Sequence, residues 1–335
     1  MSHRVLIPVD LQAPPILPAG VVAHSLSGRT MGTTWSVQAL AARSVAQETI
    51  AAAVEAQLQR VIDEMSTWEP GSHISRFNRA PAGSWHALPE GFFTVLDAAL
   101  TMAVDSEAAF DPTVGPLVDL WGFGAGSVQQ GAFRPPDAAL LEATRQRCGW
   151  QRIVLDRTQR KVQQAGGVHL DFSGIAKGYA VDRVAQALRE CGCVSWLAEV
   201  GGELSGQGVK TDGQPWWVAL ERPPQDDSPG MVVALHGLAI ATSGDYRRYV
   251  DHDGHRYAHT IDPRTGTPVR TAPASVTVLH RQCMVADALA TVLTVLGEEA
   301  GLSFARERGI AALFITREAD GFRESLTPAL AAMLE

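Results

Sequence analysis

The chain has 335 residues, of which 19% are charged and 46% hydrophobic, and its formal net charge at pH 7 is −8. This length is sufficient for a large core, and the composition is that of a compact globular protein. The acidic balance and the lack of a basic run argue against a nucleic-acid-binding protein, which needs cations for phosphate contacts.

The N-terminal residues 1–20 are predicted to be an extended arm, and residues 21–335 a single domain. Asp10 and several prolines interrupt the apolar run that a signal peptide requires. No window reaches the roughly eighteen apolar residues of a membrane span. The sequence therefore predicts a cytoplasmic protein without a transmembrane segment, or a periplasmic one if a leader has been removed. The four cysteines have neither CxxC nor zinc spacing and are expected to be reduced core thiols.

Apolar periodicity predicts helices and strands that mix without a regular βαβ alternation. Helices are predicted at 47–65, 91–105, 136–147, 175–190, from 284, at 298–308 and at the C-terminus. Strands are predicted at 33–40, 152–155, 161–163, 168–170, 195–200, 216–221, 231–235, 239–242, 257–261, 274–279 and 311–315. The glycine-rich segment 110–126 is expected to be a structured loop with a short helix. This mixture favours an α+β fold over a doubly wound sheet.

The segment LDFSGIAKGYAVD (170–182) places Asp171 at a predicted strand end and Lys177 at a helix start, between Gly174 and Gly178. A helix N-terminus after small residues can bind an anion such as phosphate. The spacing differs from a Walker A loop. The alternative is an ordinary tight turn into an amphipathic helix.

The segment VADALAT (285–291) follows HTIDPRTG (259–266) by about twenty residues. The spacing of four puts Asp287 and Thr291 on one face of a helix that is apolar all round. A carboxylate buried there needs a cation, a hydrogen-bond network or a metal. In the alternative, backbone N–H groups hold the Asp287 carboxylate and the Thr291 hydroxyl bonds to the preceding turn.

Eight motifs occur in an order that resembles the ApbE family of flavin transferases. They are RTMGTTW, MSTWEPGSHISRFN, FDPTVGPLVDLWGFG, DFSGIAKGYAVD, VGGE, SGDYRRY, HTIDPRTGTPV and VADALAT. The resemblance covers residues 29–316 and implies an α+β, T-fold-like core with antiparallel strands. It implies Mg²⁺-dependent transfer of FMN from FAD to a Ser or Thr hydroxyl of an acceptor flavoprotein, with release of AMP. The alternatives are an FAD pyrophosphatase that yields FMN and AMP, and a flavin-binding protein without turnover.

The same resemblance implies the ligand sets. Mg²⁺ would be held by the carbonyl of Gly174 and the side chains of Asp287 and Thr291, oxygen ligands that suit this hard cation. FAD would contact Met31, Trp68, Ala109, Phe110, Asp111, Asp171, Lys177 and the backbone near Ile261. Many family members are exported lipoproteins, and the cytoplasmic expectation departs from them.

Two of the FAD contacts have structural alternatives. Trp68, where family members often carry Tyr, could stack on a flavin ring or simply pack in the core. Asp111 could bond donor atoms of FAD or cap the turn before Pro112.

His259 is the candidate catalytic base for the acceptor hydroxyl, since a histidine has a resting pKa near neutrality. The rate of FMN transfer is then expected to rise with pH near neutrality. A structural role is the alternative, and Asp287 would then be the proton acceptor. Asp262 could orient His259 or cap the turn, and Arg264 could brace the loop or contact phosphate.

Overall fold

The computed structural model describes residues 4–9, 13–14, 16–127, 133–226, 228–270 and 273–335. The helices are α1 (Gln47–Met65), α2 (His73–Asn78), α3 (Glu90–Asp105), α4 (Gly115–Leu120), α5 (Ala138–Arg145), α6 (Ala176–Glu190), α7 (Cys283–Glu307) and α8 (Pro328–Ala331). The strands are β1 (Arg4–Leu6), β2 (Val21–Thr30), β3 (Thr33–Ala42), β4 (Trp85–Ala87), β5 (Val154–Asp156), β6 (Lys161–Gln163), β7 (Ser195–Val200), β8 (Glu203–Gln207), β9 (Trp216–Ala219), β10 (Met231–Leu235), β11 (Leu238–Gly244), β12 (Tyr249–His252), β13 (His255–Ala258), β14 (Ile261–Asp262), β15 (Thr267–Pro268), β16 (Pro273–His280), β17 (Ala311–Glu318) and β18 (Gly321–Leu326).

An eight-stranded sheet in the order β18-β17-β16-β11-β8-β7-β3-β2 is the centre of the fold. Every neighbouring pair in it is antiparallel. The predicted α+β class with antiparallel strands is therefore confirmed.

One face of the sheet is covered by helices α1, α3, α6 and α7. Every second side chain in this part of β3 is buried on the helix-covered face, as the twofold strand period requires: Trp35, Val37 and Ala39. This layer forms the largest apolar cluster.

The opposite face is covered in part by a small sheet of order β1-β10-β9. Leu6 and Val233 from this sheet pack in one cluster with Ile240, Leu279 and Ile315 of the central sheet. Strand β16 lies between the two coverings, which explains why seven of its eight residues are buried and why its sequence is almost continuously apolar. The predicted arm 1–20 contributes β1 here, but its residues 1–3, 10–12 and 15 lie outside the described residues. The division into an arm and a domain stays a prediction.

Helices α6 and α7 pack against each other closely, and this contact positions the site. A Cβ added at Gly178 would lie only 2.3 Å from the carbonyl oxygen of Cys283, so glycine permits the approach. Asp182 of α6 accepts hydrogen bonds from the backbone N–H groups of Cys283 and Met284, each at 2.9 Å. It thereby satisfies N–H groups that the first turn of α7 leaves without helical partners.

Helix α7 joins two predicted helices into one element with a non-helical residue, Gly297, at φ +76°. Among the described residues it is the one helix long and apolar enough to cross a membrane. More than half of its apolar window is buried under the central sheet and α6, as expected for a core helix.

Two predicted strands are wrong in detail. Residues 168–170 are not in a ladder. Instead the side-chain amide of Gln164 bonds both backbone groups of Val168, and that of Asn78 bonds both backbone groups of Leu170. The predicted strand 257–261 is split, since β13 ends at Ala258 and β14 begins at Ile261.

Candidate functional site

A cleft of about 480 Å³ lies where the β2–β3 hairpin, the start of α6, the end of β11 and the N-terminal part of α7 meet. It is lined by residues from seven of the eight motifs. The lining includes Met31, Ala109, Phe110, Asp111, Asp171, Gly174, Lys177, His259, Ile261, Asp287 and Thr291. These are all of the predicted site residues except Trp68.

Met31 reaches the cleft from a strained hairpin tip. Met31 and Gly32 connect β2 to β3 with φ values of +46° and +71°, as in a two-residue turn of the I′ kind. A positive φ is unusual for a side chain larger than asparagine. The turn therefore holds Met31 over the cleft at a local conformational cost.

Asp111 is buried and serves its own turn. One carboxylate oxygen accepts from the backbone N–H and the hydroxyl of Thr113, at 2.8 and 2.6 Å, and the other accepts from the N–H of Trp150 at 3.0 Å. Burial raises the pKa of Asp111. Of the two roles open to Asp111, these contacts are those of the turn cap.

Asp171 begins the loop that leads into α6. Its N–H donates to the carbonyl of Pro112 at 2.8 Å, and its carboxylate accepts from the N–H of Ser173 at 2.7 Å. The segments 110–112 and 171–174 are thus held side by side at the wall of the cleft.

Asp287 is 6% exposed and its pKa is raised by burial, while Lys177 and the N–H of Gly178 oppose that rise. The Gly178 N–H donates to one carboxylate oxygen at 2.9 Å. The other oxygen accepts no hydrogen bond from any residue that the structure describes. The backbone thus satisfies half of this carboxylate, and the other half is available to a ligand in the cleft.

Thr291 does not bond to the preceding turn in the described part of the chain, whereas Thr294 donates to the carbonyl of Ala290 at 2.8 Å. A Cβ added at Gly174 would lie 3.0 Å from the Thr291 hydroxyl oxygen, so the Gly174 backbone lies directly against it. Gly174, Thr291 and Asp287 line the same cleft, and a backbone carbonyl, a hydroxyl and a carboxylate are oxygen donors of the kind that fits Mg²⁺. No group of three or more His, Cys, Asp or Glu side chains suited to a metal occurs among the described residues. The remaining ligands would have to come from substrate and water.

Lys177 pairs with Glu203, the acid of the VGGE motif. Burial opposes the charge of Lys177, but Glu203 and Asp287 prevail and raise its pKa above the ordinary value. Burial raises the pKa of Glu203 to about 7 in spite of the pair. The second oxygen of Glu203 is buried without a hydrogen-bond partner among the described residues.

His259 is oriented by the backbone of Arg248. The Arg248 carbonyl accepts from the His259 N–H at 3.2 Å and lies 3.1 Å from His259 Nδ1. A neutral imidazole in this contact carries its proton on Nδ1, which leaves Nε2 free to accept one. Burial lowers the pKa of His259 to about 4, and the positive charges of Lys177 and Arg248 lower it further against the opposing carbonyl contact.

Asp262 and Arg264 are partners of each other rather than of His259. Asp262 accepts from the backbone N–H of Arg264 and from two of its guanidinium nitrogens, each at 2.9 Å. The guanidinium also approaches the carbonyl of Val295 at 3.4 Å. Asp262 thus caps the turn, and Arg264 braces the loop against α7.

Trp68 is not in the lining of the cleft. It lies after the end of α1 and is 65% exposed, so it is not a core residue either. Its contact with FAD stays a prediction.

Sequence reasoning missed three charged residues near the cleft: Glu203, Arg247 and Arg248. The VGGE and SGDYRRY motifs contain them, but the residue spacing in these motifs does not indicate a particular chemical function. Arg247 bonds the carbonyl of Gly201 at 2.8 Å and pairs with Glu221.

Comparison with known proteins gives consistent results. The sequence model described as the ApbE family matches residues 31–314. An FAD:protein FMN transferase of Vibrio cholerae is 39% identical over 304 residues, covering 89% of each chain. The Escherichia coli FAD:protein FMN transferase is 33% identical, covering 92% of this chain and 88% of that protein. The crystal structure of Pseudomonas stutzeri flavinyl transferase ApbE, apo form, has a TM-score of 0.86 at 38% identity, covering 93% of this chain and 97% of that one.

Proposed function

This chain belongs to the ApbE family, and on that premise we propose how its cleft transfers FMN from FAD to an acceptor protein. The protein is an FAD:protein FMN transferase, as its relatives are named. The metal, the released product and the role of each residue are the content of the proposal.

One observation supports the proposal most strongly. Three segments far apart in sequence, around Gly174, His259 and Asp287, line one cleft. They bring oxygen donors, a neutral imidazole and the partly exposed ammonium of Lys177 together. A phosphoryl transfer needs these elements: a place for a metal, a proton acceptor and positive charge near the phosphates.

The Gly174 carbonyl, the Thr291 hydroxyl and the Asp287 carboxylate would hold Mg²⁺. When bound, the ion supplies positive charge to the diphosphate of FAD and to the departing phosphate. Asp287 is suited to this task because burial makes its uncompensated charge unfavourable, so a cation there relieves that cost. Lys177, which Glu203 holds and whose charge that pair largely offsets, would donate hydrogen bonds to the diphosphate.

His259 would accept the proton of the attacking hydroxyl at Nε2. The oxygen of an acceptor Ser or Thr bonds to the FMN-side phosphorus as the bond to the bridging oxygen breaks. AMP leaves with that oxygen and its electron pair, and the acceptor keeps FMN in a phosphoester. Arg248 fixes the ring for this step through its carbonyl.

Hydrolysis is the competing reaction, since water in place of the acceptor gives free FMN and AMP through the same contacts. The two are separated by incubating the protein with FAD, Mg²⁺ and a candidate acceptor. AMP that appears only with the acceptor supports transfer, whereas equal AMP without it supports hydrolysis. A stable yellow complex without AMP would make the chain a flavin-binding protein. The cytoplasmic location stays a prediction, which fractionation of cells producing the protein can test.

A further inference from the structure

Three cationic side chains line the cleft: Lys177, Arg247 and Arg248. Two of them are already neutralised by acids of this chain. Lys177 pairs with Glu203, and Arg247 pairs with Glu221. Their charges are therefore largely balanced before any ligand enters.

Arg248 differs from both. Its guanidinium makes no ion pair with any acid in the described part of the chain. Its carbon lies 5.9 Å from the centre of the Phe123 ring, a cation–π contact that holds the group without neutralising it. Phe123 in turn meets the His259 ring edge to face, with the centroids 6.5 Å apart. The unpaired cation and the candidate base thus flank the same phenyl ring.

The backbone of Arg248 adds a second link, because its carbonyl orients His259. The guanidinium packs on Phe123, and Arg248, Phe123 and His259 all line the same cleft. An arginine there can form two parallel charge-assisted hydrogen bonds with a phosphoryl group, a geometry that lysine does not offer.

We propose that Arg248 binds the phosphoryl group of the flavin nucleotide beside His259, the FMN-side phosphate that the acceptor attacks. This inference rests on the proposed function and adds a residue to it. The guanidinium neutralises charge on the oxygens of that phosphate during attack, and the proton still goes to His259. Lys177 and the metal ligands are then left to the rest of the diphosphate.

The test compares ligands that differ in phosphate content. FAD, FMN and riboflavin are titrated against the wild type, Arg248→Gln and Arg248→Lys by flavin fluorescence, with and without Mg²⁺. Arg256→Gln is the control. Arg256 is also an exposed arginine stacked on a ring, that of Tyr249, but it pairs with Asp251 and lies outside the lining of the cleft.

Arg248→Gln is expected to weaken the binding of FAD and FMN by about 10- to 100-fold, the usual contribution of a charge-assisted hydrogen bond. The binding of riboflavin should weaken by less than about twofold. Arg248→Lys should recover part of the loss, and Arg256→Gln should bind all three ligands as the wild type does. FMN transfer by Arg248→Gln at saturating FAD should fall by at least about tenfold, and added guanidinium ion should restore some of it in Arg248→Ala.

Other results would overturn the inference. Equal weakening of riboflavin would show that Arg248 only shapes the cleft through Phe123. Unchanged FAD and FMN affinity with a raised KM for the acceptor would assign the guanidinium to the acceptor instead. A wild type that binds no FAD would contradict the proposed function itself, which distinguishes the two failures.

Discussion

Replacing His259 with asparagine should separate FAD binding from chemistry. The asparagine amide can still donate to the Arg248 carbonyl, which lies 3.1 Å from His259 Nδ1, but it has no counterpart of Nε2. FMN transfer should therefore be about 100-fold or more slower, the usual contribution of general base catalysis, while the FAD dissociation constant changes by less than about twofold. Acceptor-bound flavin is measured against time, and FAD binding by fluorescence titration.

The structure also predicts how the wild-type rate depends on pH. Burial lowers the pKa of His259 to about 4, so the imidazole is ~90% neutral at pH 5 and fully neutral at pH 8. An ordinary histidine would be only ~3% neutral at pH 5. The wild-type kcat/KM for FAD, which reports the free enzyme, should thus stay nearly level from pH 8 to pH 5 and fall only toward pH 4. This profile differs from the one expected from the sequence, in which the rate rises with pH near neutrality.

Stability should show the same shift with a defined sign. Because the folded pKa is depressed, the unfolded chain takes up the proton first as the pH falls below about 6.5. The wild type should therefore lose Tm relative to His259→Asn between pH 6.5 and about 4, and the difference should be constant above that range. A roughly 30-fold fall in wild-type kcat/KM between pH 8 and 5 would refute the burial argument. An unchanged rate in His259→Asn would make the histidine structural and leave Asp287 as the proton acceptor.

Three further substitutions address the metal, the helix contact and the flavin. Asp287→Asn should release AMP more than about 100-fold more slowly in the presence of Mg²⁺, since the loss of even an indirect metal contact costs 10- to 100-fold. Without Mg²⁺ its Tm should be no lower than that of the wild type. A wild-type rate of AMP release would show that Asp287 is not a metal ligand. Gly178→Ala should lower the free energy of unfolding in urea by about 1–3 kcal/mol, because the new Cβ meets the Cys283 carbonyl. Gly71→Ala is the control and should lower it little, because the nearest atom to its new Cβ is 3.5 Å away. Equal losses in the two variants would refute the close-packing argument. If the exposed ring of Trp68 stacks on the ligand, Trp68→Ala should weaken FAD binding by about 1 kcal/mol, roughly fivefold, and Trp68→Tyr should restore most of that loss. Equal FAD affinities of the wild type and the two variants would exclude the contact.

Local patterns predicted most of the regular elements. Helix α1 and strands β6, β7 and β10 have the predicted bounds. In α1 the buried residues Ile50, Val54, Leu58, Val61 and Met65 recur at helical spacing. Residues 168–170 show where the pattern fails. Side-chain amides of Gln164 and Asn78 replace the neighbouring strand there, and no local signal announces Asn78, which lies 92 residues from Leu170.

The site was predictable where a family motif gave each residue a role. Of the eleven lining residues named at the start of the site description, ten are those that the resemblance assigns to FAD or the metal, and the eleventh, His259, is the candidate base. Two features were not predictable: the pairing of Lys177 with Glu203, and the lack of an acidic partner for Arg248 among the residues that the structure describes. Both depend on which acid each cation meets after folding. The low pKa of His259 likewise comes from burial, which the sequence does not state.

Intact-mass measurement of an acceptor protein tests the central claim most directly. The purified chain is incubated with FAD, Mg²⁺ and a candidate acceptor, with the acceptor's target Ser or Thr changed to Ala as the control. The account predicts that the acceptor gains the mass of one FMN residue, that an equal amount of AMP appears, and that the control gains nothing. Free FMN and AMP with no change in acceptor mass, for every flavoprotein acceptor tried, would contradict it.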